Sequence, residues 1–122
     1  MIYGSINQNF DHQQSKQLAK IKKLMMWPEC SHYPINFGNF SGGLFYDNRL
    51  PLAVEDFYHC DKETETIVLV SGIVYNQKEI LNKLIPNNAN MKLAALISTL
   101  FLSQGGNFVN ELNGDFSIFI YQ

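Results

Sequence analysis

Charge of either sign is scarce in this chain of 122 residues. Charged residues make up 16% of the sequence, the net charge is −2, and there is a single arginine. The only cluster of basic residues is formed by Lys20, Lys22 and Lys23, which fits the solvated side of a helix better than a phosphate site. We therefore expect no nucleic acid partner.

Cysteine is also rare. Cys30 and Cys60 form no CxxC pair and show no metal-ligand spacing with the three histidines. This predicts two reduced thiols, no metal and no cofactor, because a glycine-rich phosphate loop is missing as well. There is no secretory signal and no apolar run long enough to cross a bilayer, which predicts a soluble, cytoplasmic protein without a membrane partner.

Apolar residues, by contrast, make up 46% of the chain, enough for one domain with a substantial core over residues 1–122. The pattern centres on residues 66–76, which read TIVLVSGIVYN. The continuous apolar run predicts a strand covered on both faces. Gly72 within it marks a bulge or a close approach of another backbone or a ligand.

The remaining segments mix strands and helices. Residues 7–11 have the composition of a turn, and residues 50–58 fit either a strand or an irregular loop. The other predictions are, in chain order, a strand at 1–7, a helix at 15–26, a hairpin turning at 41–43, helices at 77–84 and 91–102, and a strand at 116–121. Such mixing predicts an α+β fold with layered packing.

Two segments resemble the glutamine amidotransferase domain of the asparagine synthetase family. Residues 71–76, SGIVYN, are similar to the family's NGEIYN, and residues 112–116, LNGDF, are similar to its LNGxF. The resemblance is specific from about residue 67 onward. It implies the class II type, an N-terminal-nucleophile-hydrolase-like layered sandwich of antiparallel sheets and helices. This chain would be a truncated form, because the family has further strands after the last one here.

The family's reaction uses a cysteine at position 2, whose free α-amine is the base, and an Asn and a Gly for the oxyanion hole. Here position 2 is Ile2, the Asn is replaced by Ser71, and Gly72 is kept. Arg49 precedes a leucine, as does the arginine that holds the substrate carboxylate, but its spacing to Ser71 differs by a few residues. The acid that holds the substrate ammonium is missing, since residues 87–99 contain none.

The resemblance therefore implies a vestigial oxyanion and substrate pocket at Ser71, Gly72, Arg49 and Ile2, with no catalytic residue. We expect a scaffold, docking or regulatory partner of an ATP-dependent amide-forming synthetase. A homodimer, or a place in a larger synthetase assembly, would cover the apolar last strand. Two alternatives are an active glutamine hydrolase with Cys30 or Cys60 as nucleophile, and an unrelated small α+β interaction module.

Overall fold

The computed structural model describes residues 1–6, 12–88 and 90–122. The chain divides into two compact units, Met1–Leu52 and Ala53–Gln122. Each unit contains one antiparallel sheet of three strands, and the chain has three α-helices in its described part. The α+β class predicted from the sequence is therefore confirmed.

The first unit is a three-stranded sheet with one helix. Its elements are β1 (Ile2–Ile6), α1 (His12–Met25), β2 (Cys30–Phe37) and β3 (Phe40–Asp47). The strand order is β1-β3-β2, so β3 is central, and its buried face carries Phe40 and Leu44. The turn predicted at residues 7–11 lies outside the described residues.

The hairpin turn predicted at residues 41–43 is wrong. The chain turns at Gly38, which has a φ of 54°, and residues 41–43 lie inside β3. Glycine is needed in this strand because backbone and side-chain atoms of the neighbouring strands occupy the space that a side chain would take. A Cβ on Gly42 would overlap the carbonyl oxygen of Tyr3. A Cβ on Gly43 would lie 2.8 Å from the imidazole of His32.

In the lysine-rich helix α1, apolar and charged side chains are not separated onto two faces as its sequence pattern predicts. Leu24, expected on the apolar face, is 86% exposed. Lys22, expected on the solvated side, lines a cavity between α1 and the first sheet. A long lysine side chain can do this because its methylenes cover apolar surface while its ammonium stays hydrated.

The second unit contains the strand on which the sequence pattern centres. Its strands are β4 (Tyr58–Asp61), β5 (Thr66–Val74) and β6 (Gly114–Tyr121), in the order β4-β5-β6. Its helices are α2 (Gln77–Leu84) and α3 (Leu93–Gln104), with short 3₁₀ helices at Val54–Asp56 and Gly105–Glu111. The segment at 50–58, which could have been a strand, is irregular up to the first 3₁₀ helix.

The core of this unit forms where α2 and α3 meet β5. Leu96 and Ile97 of α3 are fully buried, with Val68 and Val70 of β5. Each fully buried aliphatic side chain of this size contributes about 1.5–3 kcal/mol. The helix ends at Gly105, whose φ of 60° suits glycine. Among the described helices, none is long and apolar enough to cross a bilayer.

Candidate functional site

Gly72 lies at the end of β5 where the strand emerges from the core. The strand is buried from Thr66 to Val70, whereas Gly72 and Ile73 are exposed. The φ of Gly72 is 105°, a conformation that side chains strongly disfavour. A Cβ here would overlap the carbonyl oxygen of Asp115 and lie 2.8 Å from the Cα of Phe116. The glycine is thus required by the pairing of β5 with β6.

The two segments that carry the family resemblance meet in this part of the unit. β5 and β6 pair in register from Ser71 opposite Ser117 to Val74 opposite Gly114. Beyond the strands, the side chain of Asn76 donates to the carbonyl of Glu111 at 2.7 Å and accepts from the amide of Asn113 at 2.8 Å. One amide side chain therefore holds the start of α2 against the segment before β6.

Tyr75 adds a second pair of contacts across the same junction. Its backbone N–H donates to the carbonyl of Asn113 at 2.7 Å, and its phenol donates to Asp115 at 2.9 Å. These bonds keep the end of the β5–β6 pair together after the strand ladder stops. Sequence reasoning noted the Tyr-Asn step as part of a motif but did not predict this clamping role.

Ile2 takes part in strand pairing and carries no nucleophilic atom. It lies opposite Leu44 in the ladder between β1 and β3. The α-amine of the chain belongs to Met1 and donates to the carbonyl of Phe45 at 2.9 Å, while the amide of Phe45 donates to the carbonyl of Met1 at 2.9 Å. Burial lowers the pKa of this amine. The amine extends the sheet by one residue, and no thiol or hydroxyl follows it at position 2.

Arg49 lies in the turn after β3, and its guanidinium is engaged by Asp47. Nε and an Nη of Arg49 donate to the two carboxylate oxygens at 3.0 and 2.7 Å, and its backbone N–H donates to the same carboxylate at 2.9 Å. These hydrogen bonds lower the pKa of Asp47 to about 2. The guanidinium of Arg49 therefore already binds one carboxylate through two parallel hydrogen bonds. A substrate carboxylate could bind in the same way only if it displaced Asp47.

An ion pair lies at the start of α3. Lys92 precedes the helix, its ammonium lies 3.3 Å from a carboxylate oxygen of Asp56, and the first turn contains no acid. A positive side chain at a helix N-terminus is unfavourable because the helix dipole is positive there, and Asp56 offsets this. Lys92, not an acid, stands beside the position where the resemblance requires a carboxylate, and the carboxylate near it, that of Asp56, is paired with Lys92.

The four predicted pocket residues are divided between the two units. Ser71 and Gly72 are neighbours in the second unit, whereas Ile2 and Arg49 belong to the first. Cys30 and Cys60 are free thiols in β2 and β4, both half-buried. Among the described residues, no three histidine, cysteine or acidic side chains come together in a way that could hold a metal ion.

Comparisons with known proteins do not assign the chain to a family. No protein-family model matches the chain, and no curated protein is significantly similar to it.

Proposed function

We propose that this chain is a catalytically degenerate, glutamine-amidotransferase-like domain that acts as a scaffold, docking or regulatory partner of an ATP-dependent amide-forming synthetase. In this proposal it has an N-terminal-nucleophile-hydrolase-like fold and works in the cytoplasm, where Cys30 and Cys60 stay reduced. The observation that carries the proposal is that Ser71-Gly72 pairs with the second family-like segment while position 2 is an isoleucine.

Each group that would bind or attack glutamine is replaced or engaged elsewhere. The nucleophile is replaced by Ile2, the guanidinium of Arg49 binds Asp47, and Lys92 stands at the helix start where an acid is needed. Loss of a nucleophile alone typically lowers a rate by several orders of magnitude. The strand pairing at Gly72 and the Asn76 clamp, in contrast, are formed, so the segments that carry the resemblance keep a defined structure without these groups.

Ammonia release from glutamine tests the loss of activity. We expect the wild-type chain to release ammonia no faster than a buffer blank at micromolar enzyme, because no activated nucleophile is present. The matched controls are Cys30→Ser and Cys60→Ser, which remove the remaining thiols. Turnover in the wild type that either substitution abolishes would refute the proposal and establish a thiol-dependent glutaminase.

The last strand is the proposed contact with a second copy of the chain. β6 is an edge strand of its sheet among the described residues, and it carries apolar side chains on both faces. Exposed strand edges favour pairing with another strand, and lysine on such an edge blocks it. We expect sedimentation to show a dimer that Ser117→Lys converts to monomer. Asn107→Lys, which adds the same charge on the exposed 3₁₀ helix, should stay dimeric; a wild-type monomer at micromolar concentration would contradict this part of the proposal.

Site-specific crosslinking in the native cells tests the synthetase partner. A photoreactive residue at exposed Tyr75 or Val109 should join the chain to a polypeptide that contains an ATP-binding synthetase domain. Crosslinks confined to further copies of this chain would contradict a docking role and leave only self-association.

A further inference from the structure

A cavity of about 250 Å³ lies within the first unit, between α1 and the sheet. Its wall includes Tyr3 and His32 from the strands and Leu18 and Lys22 from the helix. A helix that packs on a sheet ordinarily meets apolar side chains, because burial of apolar surface holds the layers together. This interface instead presents a phenol, an imidazole and an ammonium-bearing side chain to the cavity.

The phenol and the imidazole form one hydrogen-bonded pair. The hydroxyl of Tyr3 and Nε2 of His32 are 2.7 Å apart, and the two rings are stacked with centroids at 5.7 Å. Burial and the nearby charge of Lys22 lower the pKa of His32, and burial raises the pKa of Tyr3. Both groups are therefore neutral near pH 7. When Nε2–H donates to the phenol oxygen, the Tyr3 hydroxyl remains able to donate to a ligand.

A second polar pair also leaves donors at the cavity. The hydroxyl of Ser41 donates to Oδ1 of Asn36 at 2.5 Å. Because this occupies the carbonyl oxygen of the amide, the NH₂ group of Asn36 retains its donor hydrogens. Among the described residues that line the cavity, Lys22 is the charged one and none is acidic.

Apart from the hydroxyl of Ser15, the other described side chains of the lining are apolar. Leu18 and Ala19 of α1 and Pro34 of β2 form this part of the wall. The volume lies below the range of about 300–1,000 Å³ that is typical of sites for drug-sized ligands. One cationic side chain, several neutral donors and an apolar surface in a small cavity suit a small acid with one carboxylate and a single ring or short chain.

We propose that this cavity binds a small organic carboxylate, with its anionic group at Lys22 and the Tyr3 hydroxyl and its apolar part against Leu18 and Pro34. The proposal does not depend on the amidotransferase-like function, because every residue involved belongs to the first unit and none is in the vestigial pocket. Inorganic phosphate is a poorer match, since it would leave the apolar part of the wall without a contact.

An NMR titration with benzoate tests the proposal on the full chain. Benzoate should shift the ring resonances of Tyr3 and His32 in a saturable manner, with a Kd of about 1 mM or lower. Benzamide, which has the same shape without the charge, and inorganic phosphate, which has charge without the ring, should each bind at least about tenfold more weakly.

Two variants on the same helix provide the matched comparison. Lys22→Gln should weaken benzoate binding about tenfold, since a hydrogen bond to a charged group is lost. Lys23→Gln removes the same charge from an exposed position outside the cavity and should change the Kd less than about twofold. Both side chains are exposed, so both variants should keep the wild-type spectrum in the absence of ligand.

Three results would overturn the proposal. These are the absence of saturable ring shifts, equal weakening by Lys22→Gln and Lys23→Gln, and binding of benzamide or phosphate as tightly as benzoate. Tyr3→Phe should weaken benzoate binding while the chain stays folded. If that variant unfolds, the comparison of the two lysine variants decides the matter without it.

Discussion

Replacing Ser98 by alanine should stabilise the second unit by about 1 kcal/mol. Ser98 lies on α3 at 2% exposure, and its hydroxyl has no hydrogen-bond partner among the described residues. Burying an unpaired hydroxyl costs about 1–3 kcal/mol. Alanine also favours a helix over serine by up to about 0.5 kcal/mol. The void left by one oxygen offsets part of this gain, by about 1 kcal/mol at most.

Urea unfolding followed by far-ultraviolet circular dichroism measures the effect. In thermal unfolding, a gain of 1 kcal/mol in the free energy of unfolding should raise the melting temperature of a chain of this size by about 4 °C. Ser103→Ala, on the exposed last turn of the same helix, is the control because it makes the same substitution but removes a hydroxyl that donates to the carbonyl of Leu100 at 3.1 Å, so it should not stabilise the chain. Destabilisation by Ser98→Ala of 1 kcal/mol or more relative to that control would show that the hydroxyl is hydrogen-bonded, and the reasoning would fail.

Three further predictions concern Gly72, Asn76 and the pair formed by Asp47 and Arg49. Gly72→Ala should destabilise the chain by about 2 kcal/mol or more in urea unfolding, because its φ of 105° and the carbonyl of Asp115 exclude a side chain; unchanged stability would contradict the described strand pairing. Asn76→Ala should cost about 1–3 kcal/mol, since it leaves partners of two hydrogen bonds unpaired; a cost no larger than that of an exposed Asn→Ala change would refute the clamp. The Asp47 carboxyl should titrate at about 2 by NMR, and Arg49→Gln should raise this midpoint towards 3.8. Because the pKa is lowered in the folded chain, the pair's contribution to stability should be complete above pH about 4 and lost as the pH falls towards 2; a midpoint already near 3.8 in the wild type would contradict the pairing.

The strongest predictions from sequence concerned local, periodic segments. The helix at 77–84 matches α2, and the helix predicted at 91–102 matches α3 within two residues at each end. Each has apolar residues at helical spacing and a clear stop, so local sequence and burial agree. The buried part of β5 was identified for the same reason, since a continuous apolar run needs cover on both faces.

The errors arose where long-range contacts override local composition. The Ser-Gly-Gly step at 41–43 has the composition of a turn, but it lies inside β3, where the carbonyl oxygens of Tyr3 and Tyr33 on the adjacent strands occupy the space beside the glycines. Leu24 fits the apolar face of α1 by spacing, yet it is 86% exposed. Neither effect can be read from neighbouring residues.

The sequence predicted which residues of the candidate site belong to a motif, but not how these residues are arranged in space. Residues 71–76 and 112–116 were identified as two separate segments similar to one family, and the sequence did not predict that residues 72–74 pair with residues 114–116. The bond between Arg49 and Asp47 depends on a turn whose geometry the sequence leaves open. A search of the sequence for the missing acid does not find Lys92, the basic residue that precedes α3.

Under the proposed function, the pairing of β5 with β6 persists although the chain does not recognise glutamine. The most direct test is an NMR titration with L-glutamine in which the backbone amide of Gly72 is followed. We expect no shift of this resonance up to millimolar glutamine. Arg49 is engaged by Asp47, no acid is present in the first turn of α3 to hold the ammonium, and Ser71 replaces the Asn of the oxyanion hole. A saturable shift of the Gly72 amide, absent with D-glutamine, would show that the chain recognises L-glutamine and would contradict this expectation.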